Sequence, residues 1–142
     1  MNIKKAYYYL FYWLYKLAMT GAIKSLSRFY ATLAMLVLEL WFVGSFYNYY
    51  TIFIDRHSSL EVKSPQVLAF FVGIMTLNYY AFMHTDKWKE YAAEFDQWPK
   101  NKNRKGLIIV ICVIAIIISN LIFSFYLMSQ IDWQKINNWN NP

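Results

Sequence analysis

The stretch "LIIVICVIAIIIS", Leu107 to Ser119, decides what kind of fold this chain can adopt. In water, so much isoleucine and valine would read as a buried strand. This run carries no charge, and it continues apolar to Met128, long enough to cross a bilayer, which takes about 20 residues. In lipid each backbone N–H and C=O needs a partner inside its own segment, so the run is expected to be helix.

Two more blocks have this character. Phe29 to Ile54 is one; Val67 to Met83 is the other, close to the lower limit for a span. The 142-residue chain is 58% apolar, 21% aromatic and only 15% charged. Soluble domains carry about 25% charged residues. The net charge is +6, but the basic residues flank apolar blocks, where they serve topology and anionic headgroups. No basic patch lies on a soluble domain, so nucleic acid is not an expected partner.

Ala6 to Tyr15 is too short to span. Lys5, Lys16, Thr20, Lys24 and Arg28 fall roughly along one side of a helix, and Tyr7, Leu10, Phe11 and Leu14 roughly on the other. Tyrosine and tryptophan favour the headgroup zone. Residues 1–28 therefore read as an amphipathic helix lying in the interface; the alternative is a short, tilted fourth span over residues 6–23. The basic residues assigned to the membrane surface are Lys4, Lys5, Lys16, Lys24, Arg28, Lys100, Lys102, Arg104 and Lys105.

Charge counting orients the chain. With three spans, one side collects eleven Lys and Arg (five before Phe29, six in 84–106) and the other three (two in 55–66, one in the tail). The positive-inside rule then puts the N-terminus in the cytoplasm and the C-terminus outside. The expected fold is all-α: a single membrane domain over 1–142 with spans at 29–54, 67–83 and 107–128. A cytoplasmic helix and basic hinge occupy 84–106, and an external tail runs over 129–142, with Trp133 and Trp139 as interface anchors.

In the 84–106 segment, "TDKWKEYAAEFDQW" sets Trp88, Tyr91, Phe95 and Trp98 at helical spacing. The stripe is expected to lie against the membrane surface or the N-terminal helix; a partner-docking face is the alternative. The helix is expected to continue the second span, unless Thr85 or Asp86 breaks it, and Pro99 should end it. "KNKNRKG", Lys100 to Gly106, reads as a basic turn. Asp86, Glu90, Glu94 and Asp96 read as a solvated face.

Glu39 stands inside "LAMLVLELWFVGSFYN", Leu33 to Asn48. About ten residues into its span, it sits about 15 Å deep, where a bare charge costs at least about 3 kcal/mol. It is expected to be protonated, partnered or turned towards other helices. Depth counting makes Thr76, Ser119 and Asn120 its candidate partners. Together with Glu39 they form a candidate intramembrane polar site, read either as a polar clamp or as a proton or ion site. Asn48 and Asn78 read as capping or interface residues near span ends. The pairs Ala69/Gly73 and Ala115/Ser119 read as packing contacts between helices.

No catalytic constellation, phosphate loop or metal spacing is present, so no catalytic, cofactor or metal residue is assigned. The single cysteine, Cys112, excludes an intrachain disulfide and reads as inert; His57 and His84 read as surface residues. No cleavable signal peptide is evident.

Taken together, "YYYLFYWLYKL" (Tyr7–Leu17), "LNYYAFMHTDKWKEYAAEF" (Leu77–Phe95) and the basic segment before "GLIIVICVIAIII" resemble small bacterial polytopic inner-membrane proteins of unassigned function. Those share a Tyr-rich N-terminal helix, an L-N-Y middle span, a Lys/Glu-rich cytoplasmic helix and a last span opening with Gly. "DQWPKN" (Asp96–Asn101) departs from that pattern. The resemblance implies a bacterial inner-membrane location. Some proteins of this size and type are immunity partners of secreted toxins. The expected function is therefore non-enzymatic, accessory or immunity-type, acting by binding in or at the membrane. A homo-oligomeric channel or proton-coupled element using Glu39 is the alternative, and a subunit of a larger complex the third. The expected partners are the bilayer with its anionic headgroups and a protein partner or second copy.

Overall fold

A computed structural model describes residues 2–21, 23–54 and 65–132. The 55–64 connection with Arg56, His57 and Lys63, and the tail with Trp133, Lys135 and Trp139, lie outside the described residues. The described chain is all-helical. Helix α1 runs over Ile3–Met19, and a short 3-10 turn, Lys24–Leu26, leads into α2, Ser27–Phe53. Helix α3, Pro65–Asn78, continues as a π-helical turn over Tyr79–His84. Helix α4 covers Lys87–Asp96, and α5 Lys100–Ser129.

Among the described residues, three helical stretches are long and apolar enough to cross a membrane: Lys24–Phe53, Val67–His84 and Lys100–Ser129. Helix α1 is not among them. Their outward faces are bare: Leu68, Val72 and Leu77 of α3 and Ile108, Ile116 and Ile122 of α5 are all more than half exposed. Against lipid this costs nothing, because lipid tails are as apolar as leucine.

The second span does not run on into α4. At Thr85 the backbone turns extended, φ −102° and ψ 143°. The carbonyls freed by this break are claimed by Arg28: Nε donates to the Phe82 carbonyl at 2.6 Å and Nη2 to that of Met83 at 2.8 Å. Pro99 ends α4 as expected, but it then caps α5. The basic segment Lys100–Gly106 is therefore the first two turns of the last helix rather than a turn. Proline is well placed to precede a helix because it lacks an N–H that the first turn could not use.

The buried core sits at this basic end of the bundle. Tyr8, Tyr9, Phe11 and Tyr12 of α1 pack with Phe82, Trp88, Phe95, Met35, Ala31 and Val110. Phe11 stacks flat on Phe82, centroids 3.9 Å apart, and both are fully buried. The aromatic stripe of α4 thus lies against the N-terminal helix. Of the tyrosines in the Ala6–Tyr15 block, Tyr8, Tyr9 and Tyr12 are buried in protein. Tyr9 packs over Gly106. A Cβ at Gly106 would fall 2.2 Å from the Tyr9 hydroxyl, so the glycine is what lets α1 approach α5.

The small-residue pairs are not used in this way. Ala69, Gly73, Ala115 and Ser119 are exposed, and nothing lies within 4 Å of a Cβ at Gly73.

Candidate functional site

Helix α2 presents Glu39 towards α1 and the end of α3. The Tyr7 hydroxyl donates to Glu39 Oε1 at 2.6 Å, and Asn78 Nδ2 donates to Oε2 at 2.5 Å. Each carboxylate oxygen therefore has its own donor. Asn78 is 2% exposed and also donates to the Ile74 carbonyl at 3.1 Å, while its Oδ1 is buried with no partner. Burial first, and then the hydrogen bond to Glu39, hold the Tyr7 phenol far above its ordinary pKa, so it stays a donor. The Tyr7 ring also stacks on Phe82, centroids 5.2 Å apart.

The expected partners of Glu39 are elsewhere. Thr76 is exposed and bonds back to the Val72 carbonyl. Ser119 is exposed. Asn120 lies further along the bundle, donating to Ser45 Oγ at 2.6 Å and accepting from Tyr49 at 2.8 Å; Asn48 donates to Ser124 Oγ at 3.0 Å. Helices α2 and α5 run side by side in the same direction, so residue 39 is level with Val110 and Val113. The polar residues of α5 come two turns later and serve residues 45–49.

Tyr7 and Asn78 were legible as polar groups but not as partners. Asn78, an amide one and a half turns from the end of an apolar run, was the available signal. Tyr7 had none, being one tyrosine among many.

Glu39 lies at the wall of a cleft of about 570 Å³ between α1, α2 and α5. The rest of the lining is aliphatic and aromatic apart from the Tyr7 and Tyr9 hydroxyls, with Met35, Leu38 and Phe42 on the α2 side.

A second constellation clasps α1 to α4. Lys5 Nζ pairs with Glu94. Asp96 accepts from Tyr12 at 2.6 Å and from Lys16 at 2.7 Å. The bond from Lys5 holds the Glu94 carboxyl below its ordinary range, and those from Lys16 and Tyr12 do the same for Asp96. Asp86 is lowered by Lys89, 2.9 Å away, and lies 3.8 Å from Arg28. Asp86, Glu90 and Asp96 are exposed, in line with the solvated face expected of these acids. Three of the four acids also pair with Lys5, Lys16 and Arg28, bases expected to face headgroups. Lys4, Lys24, Lys100, Lys102, Arg104 and Lys105 are exposed, with Lys102 Nζ 3.6 Å over the Trp98 ring.

Among the described residues, no three His, Cys, Asp or Glu side chains gather where a metal could bind. Cys112 is exposed, and His84 is exposed against the Tyr79 and Tyr80 rings.

Among the described residues, fold and site together define an all-helical chain with three helices long and apolar enough to cross a membrane and an N-terminal helix clasped across their basic end. No family model matches the chain, and neither a curated protein nor a solved structure matches it.

Proposed function

We propose that this is a non-enzymatic bacterial inner-membrane protein, accessory or immunity-type, that acts by binding in or at the membrane. In this reading three helices cross the bilayer, α1 lies at the cytoplasmic interface, and the C-terminus is external. The observation that carries it is the pairing of the span-level polar groups with one another. Glu39 is taken by Tyr7 and Asn78, Asn120 by Ser45 and Tyr49, and Ser124 by Asn48. Paired in this way they act as glue between helices rather than as the lining of a path. The apolar outer faces of α3 and α5 remain as surface for lipid or a partner helix.

A second reading, a proton-coupled element, is favoured by one observation: Glu39 and Tyr7 border the cleft. Proteoliposomes separate the two. Binding predicts proton and cation flux equal to that of empty vesicles. Flux that disappears in Glu39→Gln would transfer the case to the second reading. Reporters inserted near Asn101 and fused after Pro142 test the orientation; the first should report the cytoplasm and the second the external side. Both on one side would end the three-span reading.

A further inference from the structure

The cleft beside Glu39 is not isolated. A second cavity of about 340 Å³ opens at the basic end, lined by Lys5, Trp98, Lys102 and Lys105. Tyr9 and Ile109 line both cavities, so the two adjoin along one edge of α5. One end is cationic: Lys5 is shared with Glu94, Lys102 lies over Trp98, and Lys105 makes no ion pair among the described residues. The other end is walled by Leu38, Phe42, Val113 and Ile116. Glu39 does not spoil this wall, because Tyr7 and Asn78 occupy its two oxygens.

We propose that the joined cavities form a site for one anionic phospholipid, with its phosphate among Lys5, Lys102 and Lys105 and an acyl chain in the cleft between α1, α2 and α5. The polarity order matches a lipid whose head lies at the basic flank of the α5 span and whose tail points along it. Lysine ammoniums are compact point charges suited to a phosphate. The site rests on the membrane reading above, but it fails separately: the orientation reporters test the spans without reference to lipid.

The test is native mass spectrometry of the full chain in non-ionic detergent, titrated with phosphatidylglycerol and phosphatidylcholine of identical chains. The expected result is one phosphatidylglycerol held in preference to phosphatidylcholine. Lys102→Gln with Lys105→Gln should weaken it by about tenfold or more. Lys100→Gln with Arg104→Gln removes the same charge from the same turns outside the cavity, and should leave binding within about twofold. All four side chains are exposed, so folding is not at stake. Val113→Trp, which fills the tail cleft, should also weaken binding, and glycerol phosphate should not displace the lipid. Equal retention of both lipids, equal loss in the two double variants, or displacement by glycerol phosphate would each overturn the proposal.

Discussion

The phenol of Tyr7 reaches across from α1 to place its hydroxyl 2.6 Å from Oε1 of Glu39, joining residues 32 apart in sequence. Tyr7→Phe keeps the ring on Phe82 and removes only that donor. Leaving a part-buried acceptor unserved should cost about 1–3 kcal/mol, read as a lower melting temperature in detergent. If the bond is the cause, Tyr7→Phe should cost little more in a Glu39→Leu background. Full additivity of the two changes would show that they do not communicate.

Glu39→Gln should be tolerated. An amide there turns one donor towards Asn78, whose buried, unpartnered Oδ1 can meet it if that side chain flips. Glu39→Leu leaves Tyr7 without an acceptor and Asn78 with only the Ile74 carbonyl, and should cost about 1–2 kcal/mol, the upper part of the range for polar contacts between membrane helices. Equal stability of the Gln and Leu variants would remove the clamp role. A Gln variant that is stable yet loses the protein's phenotype would point to proton chemistry instead.

The clasp between α1 and α4 should hold over a defined pH window. Asp96 is lowered from its ordinary 3.8, mainly by Lys16 and then Tyr12. A lowered acid contributes stability above its unfolded pKa and loses it as pH falls through the folded value. The clasp should therefore loosen below about pH 4. Tyr12 is raised from 10.0, by burial and then Asp96; burial lowers Lys16, but its bonds to Asp96 and Tyr12 more than offset this and raise it above 10.5. Both contributions are complete below those values and fade as pH rises through the folded ones. Tryptophan emission against pH should show a plateau between the two limits. Asp96→Asn should flatten its acid edge; an unchanged acid edge would assign it to other groups.

Gly106→Ala should prise α1 from α5. The added carbon would fall 2.2 Å from the hydroxyl and 2.6 Å from Cζ of Tyr9, whose ring is held by Phe95 and Trp98. Overpacking of this kind costs about 1–3 kcal/mol. Gly44→Ala and Gly73→Ala meet nothing within 4 Å and should be neutral or slightly stabilising. The comparison is a thermal scan of the three variants side by side, and a harmless Gly106→Ala would show that the approach is looser than described.

The three long apolar helices, the stop at Pro99 and the seating of the α4 stripe on the N-terminal helix were legible in the sequence. Each follows from local facts: hydropathy over a window, a missing N–H, and an apolar face at helical spacing with one amphipathic neighbour to meet it. The partners of Glu39 and the pairing of Lys5 and Lys16 with Glu94 and Asp96 were decided by tertiary structure. Depth counting treats each helix as an independent ruler, but which turns face one another depends on the tilt and rotation set by packing. Here Gly106 admits Tyr9, Phe11 seats on Phe82, and the α1 helix so fixed brings Tyr7 to Glu39 and two lysines to two carboxylates. A one-dimensional pattern cannot express those relations, because they join residues 32 to 89 positions apart through the rigid angles between helices.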